Sequence, residues 1–432
     1  MVSLPCSRWR LRRALGAALL PVAGLAALLG SPTLHALTLD EAVALAQSRS
    51  SAVSARNSEA RAMGEQAAQA GTRPDPVLRL SLDNLPINGA ERWSTTRDFM
   101  TMRSVGVMQT LPSSDKREAR RLERERQAEA LAAQAVAQAA AVRREAAWAW
   151  WGLRAAAQRR EVLQAQVAQT ADLLLAAEAA WRSGRGSASA AIAAREQGQR
   201  LQQALLAATA EHEAARTSLQ RWTRETAPEW LAEAPAIDGG LPDTAALLAQ
   251  HPETQAAQAR VAATHASAGL ADAERSPDWS VELMLSQRGS RYTDMVSLGV
   301  SIPLTLQRGL RQDRELAARL AEASAREAEA EDVQRELEQQ LQTWRLQWQA
   351  ALAQRELIDR QRAPLARERV QAALAAYRAG QETLATVIEA RQAELSLALE
   401  RIDVELSGAR AWSALTYALP RDQKAVAQGE RP

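Results

Sequence analysis

The sequence predicts an α+β membrane protein, in which long coiled-coil helices join four β-strands of a transmembrane barrel in two internal structural repeats. Three observations predict it. The 432 residues are 47% apolar and 24% charged but include only 12 Trp, 3 Tyr and 1 Phe. A bulky globular core therefore lacks its usual fillers, while Ala, Gln, Glu, Arg and Leu dominate as they do in long helices. The chain also resembles itself, one half against the other. Finally, four short segments alternate apolar and polar residues, which is the period of a strand and not of a helix.

The first element is a leader. Arg8, Arg10, Arg12 and Arg13 precede the apolar run Ala14–Leu29, and Ala36 supplies a small residue before a cleavage point, so residues 1–36 read as a signal peptide. Gly16, Pro21 and Gly24 lie within a run that is short for a spanning helix, which argues against a membrane anchor. Removing the leader takes the formal charge from +2 to −2, so the basic balance gives no reason to expect nucleic acid as a partner. The single cysteine, Cys6, goes with it, and the remainder carries no thiol for a disulfide, a metal or a nucleophile.

The repeats come next, at 37–226 and 244–419. Trp181-Arg182-Ser183-Gly184 returns as Tyr377-Arg378-Ala379-Gly380, and Ile192 and Arg195 return as Ile388 and Arg391 at the same spacing. Val105-Gly106-Val107 returns as Leu298-Gly299-Val300, Arg73-Pro74-Asp75 resembles Arg275-Ser276-Pro277-Asp278, and Trp148 and Trp151 are answered by Trp344 and Trp348. A linker at 227–243, rich in Pro and Gly, joins the halves. Each half reads as helix, hairpin, very long helix, tight turn, helix. In the first, Thr38-Leu39-Asp40-Glu41 opens a helix that runs to Gly71, where Pro74 and Pro76 stop it. From Ser113 to Trp181 only Gly152 interrupts, and that length of α-helix extends roughly 100 Å. A turn at 182–189 leads into a helix to Arg224. The second half predicts helices over Thr244–Arg275, Gln307–Arg378 and Gln381–Tyr417, a turn at 378–382, and a kink at Pro364. A polar tail, 420–432, is expected to be disordered.

The strands are expected in hairpins at 77–111 and 279–304. Leu78, Leu80 and Leu82 alternate with Arg79, Ser81 and Asp83; Trp279, Val281, Leu283 and Leu285 alternate with Ser280, Glu282 and Ser286; Val296, Leu298, Val300 and Ile302 alternate with Ser297, Gly299 and Ser301. Phe99–Leu111 alternates less cleanly, because Arg103 shares parity with Val105 and Val107 and is expected at the membrane rim. Trp93, Phe99, Trp279 and Tyr292 lie in or beside these segments as an interfacial girdle requires. Four strands cannot close a barrel, and an open edge in lipid leaves unpaired backbone groups. Two or three chains must therefore share one barrel.

On the Leu39-Asp40-Glu41-Ala42 helix start, the Tyr377-Arg378-Ala379-Gly380 turn with Leu384 and Glu389-Ala390 after it, and the duplicated hairpins, the chain resembles the outer membrane efflux protein family, the TolC-like exit ducts. Arg73-Pro74-Asp75-Pro76, Asp83-Asn84-Leu85-Pro86 and Arg97-Asp98-Phe99-Met100-Thr101-Met102-Arg103 look most like its heavy-metal branch, which serves cobalt-zinc-cadmium or copper-silver efflux. The resemblance implies a homotrimer with a 12-stranded β-barrel in outer-membrane lipid and an α-helical barrel reaching into the periplasm. It also implies docking through a periplasmic adaptor onto an inner-membrane pump of the resistance-nodulation-division (RND) type. Such a duct performs no chemistry and needs no cofactor; radius and lining charge select its cargo. By the same resemblance, Trp181, Arg182, Ser183 and Gly184 in one hairpin and Tyr377, Arg378, Ala379 and Gly380 in the other contact the adaptor. Two acidic positions that ring the closed pore fall at Thr386 and Glu389, so one carboxylate is absent. Multidrug efflux and type I protein secretion remain open as cargo readings, and an exported soluble coiled-coil protein remains the alternative outside the family.

Other residues carry less. His212, His251 and His265 lack the spacing of a helical metal pair, and no phosphate loop, nucleophile elbow or zinc signature occurs. Met100, Met102, Met108, Met284 and Met295 lie in or beside the strands with polar parity, where thioethers suit soft Cu(I) or Ag(I) in transit, or serve simply as flexible fillers.

Overall fold

The computed structural model describes residues 36–184, 186–224, 231–239, 241 and 243–419. The leader up to residue 35, the tail at 420–432 and part of the linker lie outside the described residues. In chain order the elements are α1 (Leu39–Arg49), α2 (Ser51–Ala70), β1 (Val77–Asp83), β2 (Met102–Leu111), α3 (Ser114–Arg182), α4 (Ala188–Thr223), α5 (Thr244–Gln250), α6 (Pro252–Ala273), β3 (Trp279–Gln287), β4 (Met295–Ser301), α7 (Gln312–Leu357), α8 (Ala363–Arg378) and α9 (Leu384–Thr416).

The helix expected from Thr38 to Gly71 is two helices, and so is the one expected over Thr244–Arg275. Ser50 has extended backbone, ends α1, and accepts a hydrogen bond from the Val53 amide to begin α2. In the second half His251 has the same role before Pro252, its ring accepting from the Glu253 amide at 3.3 Å. Proline at the first helical position costs nothing, because its missing N–H would be unpaired there anyway. Thr38 and Glu41 form a reciprocal capping box at the start of α1.

The long run through Pro364 does not break. A π-helical turn, Ile358–Arg362, separates α7 from α8 just before the proline, so the wider turn absorbs the hydrogen bond that Pro364 cannot make. Two ion pairs fasten that turn to α9: Arg401 to Asp359 at 2.6 Å and Arg362 to Glu400 at 2.5 Å.

One antiparallel sheet has the order β1-β2-β3-β4. The helices continue that order: α2 packs on α3, α3 on α6 and α6 on α7. Each helix feeds or leaves its strand at the same lateral position, so sheet and helices form one continuous layer. Its lateral edges are different surfaces, β1 with α2 on one side and β4 with α7 on the other. Beyond the middle of the molecule, α3 and α4 form one helical hairpin and α7–α8 and α9 another, packed together through Ala177, Ala194, Val370, Ala373, Leu384, Val387 and Ala390.

The main core sits at mid-height. Leu39, Val43, Trp150, Trp151, Leu219, Ile237, Ala409 and Tyr417 enclose it. The linker crosses here, with Leu231 bridging Leu37. Trp150 donates its indole N–H to the Leu37 carbonyl at 3.0 Å, and Trp348 donates to the Ile237 carbonyl at 2.7 Å. These matched bonds make Trp150, and not Trp151, the structural counterpart of Trp348. The Tyr417 hydroxyl reaches Asp40 at 2.7 Å, and buried Arg143 donates to the Tyr417 carbonyl at 3.4 Å, tying the end of α9 to the start of α1.

Burial, and then the nearby Arg144 guanidinium, push the His251 imidazole down to about 4 from an ordinary 6.5. The folded state thus keeps His251 neutral, as its capping bond requires, while the unfolded chain takes up a proton below about pH 6.5. Its stabilisation is complete above that value and is lost as pH falls towards 4. Wild type is expected to lose on the order of 1–3 kcal/mol across this window, and His251→Asn, which caps without titrating, to lose clearly less. Thermal melts of both proteins at about pH 7.5 and about pH 4.5 read the difference, and equal slopes would refute it.

Candidate functional site

The sheet separates its side chains by chemistry, and the register shows how completely. Leu80, Val105, Leu285 and Val296 form one row across all four strands, and Leu78, Val107, Leu283 and Leu298 the next. On the opposite face run Ser81, Ser104, Ser286 and Met295, then Arg79, Gly106, Met284 and Ser297. The apolar face is solvent-exposed in one chain, with Leu80 and Leu298 each 72% exposed. A face of that size and composition requires an apolar neighbour.

Arg103, the residue that blurred the alternation, lies on the apolar face opposite Gln287, to which it donates at 3.1 Å. Both stand at the loop end of their strands, so the polar pair lies at the margin of the apolar band. Trp93, Phe99, Trp279 and Tyr292 are all exposed at the ends of the strands or in the adjoining loops. The strand expected from Phe99 begins only at Met102. Asp98 accepts from the amides of Met100 and Thr101, and the buried Thr101 hydroxyl donates to the Asn84 carbonyl, which commits those residues to a turn.

On the polar face Arg79 reaches across β2 to Glu282 at 3.3 Å. The residue it crosses is Gly106, where an added Cβ would stand 3.0 Å from the Leu283 carbonyl oxygen. Ser104 and Ser286 share a hydrogen bond of 2.9 Å, and Ser104 also reaches Asp83. Met108, Met284 and Met295 lie on this face as diagonal neighbours on β2, β3 and β4. Met102 is at the strand end opposite Asp83, and Met100 is in the loop, so the structure does not bring these two into that diagonal.

At the far end, the two turns predicted for adaptor contact lie side by side on the packed hairpins. Gly184 has φ +71° and Gly380 φ +74°, a conformation in which a Cβ is strained. The turns are closed by equivalent bonds, Gly184 N–H to the Trp181 carbonyl and Gly380 N–H to the Tyr377 carbonyl, each 3.0 Å. Trp181, Arg182, Ser183, Gly184, Arg378, Ala379 and Gly380 are exposed, whereas Tyr377 packs against the tip core. Arg182 pairs with Glu178, which also holds Arg195 at 2.7 Å and whose carboxyl is pulled below its ordinary range chiefly by the Arg195 hydrogen bond.

Thr386 and Glu389, the positions expected at a pore constriction, both stand on the first turns of α9. The Thr386 hydroxyl donates to Glu382 at 2.9 Å, and Glu389 is paired with Arg369 of α8 at 2.8 Å. Arg369 is the residue that sequence reasoning missed. In an antiparallel helical hairpin, positions nearly equidistant from the turn face each other, and Arg369–Glu389, Arg362–Glu400 and Asp359–Arg401 all obey that rule about Gly380. The histidines are scattered: His251 caps α6, His212 meets Arg160, and His265 bonds Glu327. Among the described residues no group of three or more His, Cys, Asp and Glu is placed to hold a metal ion. No described helix is long and apolar enough to cross a membrane.

Residues 245–420 match the family described as outer membrane efflux protein. No curated protein matches the chain in sequence. Among solved structures it is similar to the outer-membrane channel OprN, at 20% identity and a TM-score of 0.75 over 88% of this chain and 89% of that one. It is similar to the outer membrane protein VceC from Vibrio cholerae, at 18% identity and TM-score 0.74 over 88% and 95%. It is also similar to CusC, described for its transmembrane channel formation, at 14% identity and TM-score 0.75 over 89% and 92%. The fold is therefore that of TolC-type outer-membrane channels, with four strands and a segment of helical barrel per chain, and the second half carries the sequence pattern of the family.

Gly380→Ala is expected to destabilise the tip by about 1–2 kcal/mol through backbone strain alone, since an added Cβ meets nothing within 4 Å. Gly380→Asn should cost less, because Asn tolerates the left-handed region. Hydrogen exchange at the Gly380 and Gln381 amides measures both, and equal protection in the two variants would contradict this account.

Proposed function

We propose that the chain is one subunit of a homotrimeric exit duct in the outer membrane, open to the periplasm through its helices and fed by an adaptor and an inner-membrane pump. The observation that carries it is the sheet: one face apolar over all four strands, the other polar, and both edge strands unpaired among the described residues. Such a sheet is stable in lipid only as part of a closed barrel with the apolar face outward. The edges differ, so copies join head to tail, and three of them supply the strands of a closed ring when the rotation between neighbours brings the last edge back to the first.

The cargo reading is efflux of small solutes of the multidrug kind, chosen by the pump. Its support is that OprN, VceC and CusC match this fold about equally, at TM-scores of 0.75, 0.74 and 0.75, so the fold does not favour CusC. Heavy-metal efflux is the second reading, favoured by the Asp83-Asn84-Leu85-Pro86 and Arg73-Pro74-Asp75-Pro76 segments and by the Met108, Met284 and Met295 diagonal. Both readings use the same pore. Its polar wall carries Arg79 and Glu282, and its narrow end is assigned to the tip, with Glu389 repeated around the axis and the turns at Gly184 and Gly380 offered to the adaptor.

The purified protein is expected to need detergent, to run as a heat-dissociable trimer, and to conduct ions in a planar bilayer. A stable aqueous monomer without conductance would overturn the duct. A deletion strain is expected to become sensitive to dyes and detergents. Sensitivity confined to zinc, cobalt, cadmium, copper or silver would instead establish the metal reading. Arg369→Ala is expected to leave thermal stability nearly unchanged, because exposed pairs contribute less than about 1 kcal/mol. It should nevertheless raise cation selectivity by freeing Glu389 from its counter-charge. An unchanged reversal potential would remove Glu389 from the conducting path.

A further inference from the structure

Inside one chain, the base of the sheet is fastened by a buried lysine. Lys116, 4% exposed, donates to Asp278 and to the Ser276 carbonyl, each at 2.6 Å. Arg120 supports the same Asp278 at 3.8 Å. The contact joins the place where β2 becomes α3 to the place where α6 becomes β3. Those two junctions are neighbours because β2 pairs with β3.

The internal repeat supplies both parts of this fastening a second time, but on opposite edges of the layer. Pro74-Asp75 stands before β1 as Pro277-Asp278 stands before β3. Asp75 is exposed and has no hydrogen bond or ion pair among the described residues. Lys116 lies three residues after Ser113, the cap of α3; three residues after Arg311, the cap of α7, lies Arg314. Arg314 is likewise exposed and without a side-chain partner among the described residues. Of the other arginines at this end of α7, Arg308 is paired with Asp313 and Arg311 is the cap itself, so Arg314 is the one that holds the helix position of Lys116. One edge thus carries an unmatched carboxylate and the other an unmatched guanidinium, at the level where the chain already makes such a pair internally.

We propose that Arg314 of one subunit pairs with Asp75 of the next, so that a second copy of this chain closes the β4–β1 seam as Lys116 and Asp278 close the β2–β3 seam. This rests on the ring proposed above and names the contact that fixes its register at the base of the barrel. An arginine fork meeting a carboxylate between two packed junctions is a directional contact and not a general attraction.

The test uses the mature, leader-processed protein in detergent with Asp75→Arg, Arg314→Asp and the double exchange. Each single reversal is expected to shift the trimer-to-monomer ratio towards monomer by roughly 5-fold or more, and the double exchange to restore it. In parallel, Asp75→Cys together with Arg314→Cys is expected to give a dimer and trimer ladder with a short bifunctional thiol reagent, whereas either cysteine alone gives none. Asp278→Cys with Arg314→Cys serves as the mismatched control. Absence of the ladder, or single reversals that the double exchange does not rescue, overturns the pairing while leaving a conducting trimer, and hence the duct, intact. A wild type that is monomeric and does not conduct fails at the earlier step, so the two failures are distinguishable.

Discussion

The constraint on which the architecture depends is that a β-strand in hydrocarbon must pair on both sides. β1 and β4 each present a row of backbone donors and acceptors to whatever lies beyond the sheet. In water such an edge is solvated, whereas in lipid each unpaired group costs several kcal/mol. The helical layer continues the strand order, so the same two edges extend from the sheet into the helices, along α2 on one side and α7 on the other. Two features fit the chain to the proposed ring: the two edges are different surfaces, and one face of the sheet is apolar across all four strands.

That core explains how so few aromatic residues suffice. Trp150 and Trp348 are placed where the chain crosses itself, each donating to a main-chain carbonyl outside the helices, those of Leu37 and Ile237. Elsewhere, alanines such as Ala177, Ala194 and Ala373 let helices approach closely, and hairpin ion pairs set their register. Packing and charge thus divide the work along the helices, with bulk at the middle and electrostatic pairing towards the tip.

Much of this was legible in the sequence because strand and helix periods are local properties. Leu78, Leu80 and Leu82 against Arg79, Ser81 and Asp83 announce a two-faced strand without knowledge of any neighbour. Four particulars were not legible in the same way. Ser50 and His251 split helices because capping competes with propagation, and a Ser or His within an Ala-rich run gives little warning. Met100 left its strand because Asp98 gathers the following amides. The partnership of Trp150 with Leu37 depends on a chain crossing that spacing does not encode. Arg369 was readable, since its distance from the turn mirrors that of Glu389, but only once the hairpin is treated as a fold-back and not as two separate helices.

The π-turn at Ile358–Arg362 sets the two repeats apart. The corresponding stretch of the first repeat, α3, is α-helical without interruption over 69 residues, whereas the second repeat inserts a wider turn before Pro364 and braces it with Asp359 and Arg362 against α9. The two limbs, alike in sequence plan, therefore differ in helical geometry: one keeps a single hydrogen-bonding pattern and the other changes it for one turn. In the proposed ring the two kinds of limb alternate, so its symmetry is that of the subunits and not the doubled symmetry that identical repeats would allow.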